Sequence, residues 1–129
     1  MKWAVLAARV LVGLPFLVLG LDHFLKVLTM PTPEFPDLAL KFITTLAGSG
    51  YLNVVKALEV VGGALVLSGR MTPLGLVLAT PVAVNIALFD VFLVGQPGLG
   101  VVITGLCFFL VWAYRSHFAQ VFATSAKIG

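Results

Sequence analysis

The residues best suited to chemistry are Lys56 and Glu59, which lie three positions apart in an otherwise apolar stretch of the chain. On a helix, residues with this spacing share a face, so the two side chains can meet. Burial of a charge in an apolar medium is costly unless the charge is paired or neutralised. We therefore expect the pair either to handle protons or bind a ligand, or to fix helix docking as a structural ion pair.

A second set of polar and small residues follows one face of the first apolar stretch. Its members recur at spacings of four and three, which draws a single stripe along a helix: Arg9, Gly13, Phe16, Gly20 and His23. The glycines make this stripe the expected packing face. Arg9 is expected to extend toward lipid headgroups. His23 is expected either to cap the helix end or to pass protons or bind a ligand there.

Three further residues complete the candidate site. Asn85 is predicted either to hydrogen-bond across helices or to line a cavity with Glu59 and Lys56. Asp90 and Tyr51 are placed by chain topology at the same end as His23. No catalytic role is assigned to any of these side chains.

The composition indicates a membrane protein. Of the 129 residues, 60% are hydrophobic and 10% are charged, and the mean hydropathy is +1.13, whereas a soluble domain carries about 25% charged residues. The net charge of +3 comes from scattered cations, so a nucleic-acid partner is not expected. Phosphate-binding glycine loops, Ser-His-Asp arrangements and dinucleotide fingerprints are not found in the sequence.

Four apolar stretches are long enough to cross a bilayer as helices, at about residues 3–24, 52–68, 73–93 and 99–114. The chain is therefore predicted to be all-α: one integral-membrane domain over residues 1–129, folded as a transmembrane four-helix bundle. The connection over residues 27–50 contains Leu38, Phe42, Ile43 and Leu46 at helical spacing. We expect a short interfacial helix there, capped by Asp37 and ended by Gly48 or Gly50; the alternative is an ordered loop.

The cations predict the orientation. With four spans, both termini share one side, and that side carries five of the cations: Lys2, Arg9, Arg70, Arg115 and Lys127. The other side carries Lys26 and Lys41. The termini, including the tail over residues 115–129, are therefore expected in the cytoplasm. A cleaved signal peptide is not expected, because Arg9 splits the first apolar run.

The same topology limits the cofactors. His23 and His117 fall on opposite sides, so neither a metal site nor a bis-histidine haem site is expected within one chain. Cys107 is the only cysteine, which leaves no partner for a dithiol relay. We expect Cys107 to be a packing residue and the chain to bind no covalent cofactor.

The order of the motifs resembles the DoxX and DoxX-like family of small four-span bacterial proteins. The similarity runs from about Arg9 to Phe122 and rests on the stripe of the first stretch, Leu21–Leu25, Gly50-Tyr51, Lys56, Glu59 and Gly63. The segments Pro73–Phe89 and Trp112–Arg115 resemble the DoxX-like branch. Two positions depart from the family pattern: His23 stands where many members have Lys, and Asp90 where the branch often has His.

The resemblance implies a four-helix transmembrane bundle of the bacterial inner membrane, similar to the membrane subunit of a thiosulfate:quinone oxidoreductase. It favours an accessory or quinone-proximal subunit of a membrane redox complex over a stand-alone enzyme, with a quinone as the ligand. A proton-coupled transporter or channel for a small solute and a scaffold without chemistry are the alternatives. The expected partners are the lipid bilayer and either a redox protein or a second copy of the chain.

Overall fold

The computed structural model describes residues 1–28 and 34–129, and within them the regular secondary structure is helical, without strands. The five α-helices are α1 (Lys2–Leu25), α2 (Asp37–Ser49), α3 (Tyr51–Ser68), α4 (Thr72–Leu88) and α5 (Leu99–Ala113). The predicted all-α class is confirmed. Residues 29–33 of the predicted connection lie outside the described residues.

Three helical segments have the length and composition of membrane spans: Lys2–Leu25, Tyr51–Ser68 and Thr72–Val94. The third combines α4 with a π-helical turn, Phe89–Val94, which the sequence pattern did not predict. The fourth predicted span is the apolar helix α5, which has 15 residues and falls short of the roughly 20 that a bilayer core requires. Two 3₁₀ turns follow it, Arg115–His117 and Ala119–Phe122.

The long helices pack in a closed order, with α1 on α3, α3 on α4, α4 on α5 and α5 on α1. Neighbouring helices are antiparallel, as the α1–α3 contacts show: Arg9 meets Leu67, and His23 meets Asn53. The start of α1, the α3–α4 turn and the end of α5 therefore form one end of the molecule, here called the amino-terminal end. The opposite end, which carries α2, is called the α2 end.

The core between these helices is small and apolar. Its fully buried side chains come from all four long helices and include Val12, Val66, Leu76, Cys107 and Leu110. Glycines let the backbones approach: a Cβ atom built on Gly13 would lie 2.8 Å from the Gly63 carbonyl oxygen. The stripe that was predicted to be the packing face of α1 is therefore in contact with α3.

Helix α2 forms where the amphipathic pattern predicted it. It ends at Gly50, whose φ of 85° lies in the left-handed region that glycine favours. The predicted cap is wrong, because Pro36 precedes the helix and Asp37 lies in its first turn without a capping hydrogen bond. Ala39 is buried, while Leu38 is 64% exposed. The helix packs on α3 and on the π-helical turn.

Candidate functional site

The structure brings Lys56 and Glu59 into contact on α3. Lys56 Nζ donates a hydrogen bond to Glu59 Oε2 at 3.1 Å, and the pair is the only ion pair found in residues 1–28 and 34–129. The Glu59 side chain is 4% exposed and that of Lys56 is 23% exposed. The Glu59 carboxyl is therefore enclosed by protein, while the Lys56 side chain reaches toward the surface.

A second polar contact joins α1 to α3 closer to the α2 end. His23 Nε2 lies 2.8 Å from Asn53 Oδ1. Because an amide oxygen only accepts hydrogen bonds, Nε2 is the nitrogen that carries the hydrogen in this arrangement. His23 is half-buried and Asn53 is exposed.

Asn53 was missed by the sequence reasoning, although a signal was present. Asn53, Lys56 and Glu59 follow one another at intervals of three residues, so they lie along one side of α3 for two turns. An uncharged polar residue near the start of a helix does not by itself indicate a functional site. Its importance becomes visible only when His23 of α1 is placed against it.

Together, His23, Asn53, Lys56 and Glu59 form what we call the polar chain. Exposure falls along it, from exposed Asn53 and half-buried His23 to Lys56 and finally to buried Glu59. Beyond Glu59, toward the amino-terminal end, the α1–α3 interface is closed by direct backbone contact at Gly13 and Gly63. The polar chain therefore reaches the surface at the α2 end.

Arg9 of α1 is held against the end of α3 by two hydrogen bonds. Its Nε donates to the Val66 carbonyl oxygen at 3.0 Å, and its Nη2 donates to that of Leu67 at 3.2 Å. Both carbonyls belong to the last turn of α3, where backbone oxygens have no partner within the helix and carry partial negative charge. Arg9 is thus a clamp between α1 and α3 rather than a free cation.

Asp90 was placed by chain topology at the same end as His23, and at this end it bonds to the start of α5. Its Oδ2 accepts a hydrogen bond from the backbone N–H of Gly100 at 3.1 Å, which satisfies a donor in the first turn of that helix. Asp22 acts in the same way at the end of α1, where its Oδ1 accepts from the N–H groups of Val27 and Leu28. Both carboxylates stabilise the ends of helices.

The expected cavity shared by Asn85 with Glu59 is also wrong. Asn85 is exposed, and its Nδ2 donates to the Pro81 carbonyl oxygen of its own helix at 2.9 Å. The buried side of α4 includes Ala83, and a residue two positions later is rotated by about 200° around the helix. Asn85 instead borders a cleft of about 350 Å³ with Phe42, Leu88, Phe89, Phe92 and Leu93.

The remaining candidates lie apart from the polar chain. Tyr51 is 62% exposed. Cys107 is buried in the core as a free cysteine. In the described part of the chain, no group of three or more His, Cys, Asp or Glu side chains gathers in the manner of a metal centre.

The chain matches no protein-family model, no curated protein and no solved structure.

Proposed function

We propose that this chain is an integral protein of the bacterial inner membrane, folded as a transmembrane four-helix bundle with α2 at the outer interface. Large apolar side chains that are about half exposed on the long helices support this: Leu11, Val61, Val77 and Phe108. A surface of this kind is typical of contact with acyl chains. The shorter α5 would complete the bundle with the help of the second 3₁₀ turn that follows it, Ala119–Phe122, which contains Val121 and Phe122.

The proposed orientation has both termini in the cytoplasm. Lys2, Arg9, Arg70 and Arg115 belong to the amino-terminal end, and Lys26 and Lys41 to the α2 end. An excess of Lys and Arg marks the cytoplasmic side of membrane proteins. The polar chain would then open toward the outside.

Within this frame, we infer that the polar chain handles protons and that the protein is an accessory, quinone-proximal subunit of a membrane redox complex. The observation that carries the proton-handling role is the burial of Glu59 at 4% exposure beside Lys56. Intramembrane ionisable groups typically mark proton or ligand pathways. The redox role is supported by the resemblance of the sequence motifs to DoxX-like proteins.

The chemistry would use only groups that can exchange protons. Since Nε2–H of His23 faces Asn53 Oδ1, Nδ1 is the ring nitrogen left to accept a proton, and the contact holds the imidazole beside α3. Lys56 stabilises the ionised form of Glu59, and protonation of Glu59 would release Lys56 from the pair. A proton taken from or given to a bound quinone could thus be exchanged with the outer surface.

The test is quinone binding by the purified chain in lipid nanodiscs, with decylubiquinone as the probe. Glu59→Gln removes the charge and keeps the shape, so binding should weaken by about tenfold if one charged hydrogen bond is lost. The matched control is Glu34→Gln, because Glu34 is an exposed acid outside the helices. Equal binding by wild type and Glu59→Gln would contradict the proposal.

The second candidate function is proton-coupled transport, which is favoured by the fall in exposure along the polar chain. It predicts proton flux in liposomes that contain the purified chain alone, and loss of that flux in Glu59→Gln. Proton flux without quinone binding would support transport in place of the redox role. A scaffold without chemistry is the third candidate; there, Glu59→Gln would change thermal stability but neither binding nor flux.

A further inference from the structure

A cleft of about 340 Å³ lies at the amino-terminal end, between the start of α1 and the end of α5. The α1 side chains that border it include Lys2, Trp3, Leu6 and Arg9, and α5 contributes Ala113 together with the adjacent Tyr114. The volume is within the range of small-molecule sites, about 300–1,000 Å³. This cleft is separate from the polar chain, which opens at the other end of the molecule.

The charge around this cleft has one sign. Four of the five acidic residues lie at the α2 end, namely Asp22, Glu34, Asp37 and Asp90, and the fifth, Glu59, is paired with Lys56. Lys2 and Arg9 border the cleft, and Arg70 and Arg115 belong to the same end. An anion in the cleft would therefore meet cations and no acidic side chain.

Arg9 has donors left for such an anion. It uses two of the five N–H groups of its guanidinium on the α3 carbonyls of Val66 and Leu67. The other three have no acceptor among the residues that the structure describes. Since these contacts also hold the guanidinium in place, an anion would bind to a positioned donor rather than to a mobile side chain.

The remaining lining favours a lipid over a soluble anion. Trp3, which borders the cleft, is 77% exposed. Next to Ala113, outside the lining, the Arg115 guanidinium lies 4.7 Å from the centroid of the Trp112 ring. Tryptophan, tyrosine and basic residues gathered at one level are typical of the membrane interface. Leu6, which stands between Lys2 and Arg9 in the sequence, also borders the cleft and is 42% exposed. An acyl chain can therefore leave the cleft along α1.

We propose that this cleft binds the phosphate of an anionic phospholipid, with Lys2 and Arg9 as the phosphate-contacting residues and the acyl chains on the apolar side of α1. Basic pockets between helices are known to bind acidic lipid headgroups in this way. A zwitterionic lipid would gain less, since the cleft offers no carboxylate to its ammonium group.

The experiment is native mass spectrometry of the full chain in detergent, titrated with dioleoylphosphatidylglycerol and, separately, with dioleoylphosphatidylcholine. Wild type should bind the phosphatidylglycerol more tightly than the phosphatidylcholine, by about fivefold for each cation that contacts it. Lys2→Gln should reduce this preference by about fivefold, whereas Lys41→Gln, the same change at the α2 end, should leave it unchanged. Lys2 is exposed, so its replacement should not impair folding.

A second pair of variants tests the cleft itself without changing charge. Ala113→Phe adds bulk inside the cleft and should abolish the preference, while Ala7→Phe adds the same bulk at an exposed position of α1 outside the lining residues. Equal binding of the two lipids by wild type, or a preference that survives both Lys2→Gln and Ala113→Phe, would overturn the proposal. Displacement of the lipid by millimolar inorganic phosphate would also overturn it, in favour of a soluble anion.

Discussion

Gly13 and Gly63 face each other so closely across the α1–α3 interface that neither position has room for a methyl group. A Cβ atom on Gly13 would lie 2.8 Å from the Gly63 carbonyl oxygen, and a Cβ atom on Gly63 would lie 2.8 Å from the Leu17 nitrogen. Gly63 follows Glu59 by one helical turn. This close approach of the two helices therefore seals the buried end of the polar chain.

Gly13→Ala should destabilise the protein by about 2 kcal/mol, because the added methyl group meets backbone atoms that cannot move independently. The free energy of unfolding in mixed detergent micelles, measured by circular dichroism, checks this. Gly105→Ala is the matched control: Gly105 is also helical, and no described atom beyond its own stretch of helix backbone and its chain neighbours lies within 4 Å of its Cβ position. Equal stability of the two variants would contradict the close packing.

Lys56→Met should cost about 3 kcal/mol of unfolding free energy, since it leaves the carboxyl of Glu59 buried without its cation. The double variant Lys56→Met, Glu59→Gln should recover most of this loss, because it removes the charge as well as its partner. A double-mutant cycle built on thermal unfolding measures the coupling. Additive effects of the two changes would show that the pair contributes no interaction energy.

Arg9→Gln should destabilise the protein by about 1 to 2 kcal/mol through the loss of charged hydrogen bonds to the end of α3. Arg115→Gln is the control, because Arg115 is exposed and bonds to Trp112 of its own chain segment; its effect should stay within about 0.5 kcal/mol. Hydrogen exchange at the backbone of residues 66–70 should increase in Arg9→Gln. Unchanged exchange there would contradict the clamp.

Asp90→Ala should destabilise the start of α5 by about 1 kcal/mol, as loss of a helix cap does. Asp37→Ala removes an acid from the first turn of α2, where no side-chain cap bond forms, and should cost only a few tenths of a kcal/mol. Thermal unfolding compares the two variants. If Asp90→Ala instead lowers quinone binding at unchanged stability, Asp90 belongs to the functional site after all.

The sequence by itself determined the helices and one contact of the candidate site. Continuous apolar stretches and Gly50 predicted where helices begin and end, and the structure follows them closely. The Lys56–Glu59 contact was also predictable. Both depend on the fixed geometry of a single helix, in which residues three or four apart share a face.

Tertiary structure alone decided the contacts between helices. Arg9 meets the α3 carbonyls, His23 meets Asn53, and Asn85 faces away from Glu59. Such contacts depend on the rotation and register of one helix against another, which here follow from the close approach of glycines. Rotating one helix about its axis by one residue position, about 100°, would exchange these partners while leaving the composition of each helix unchanged.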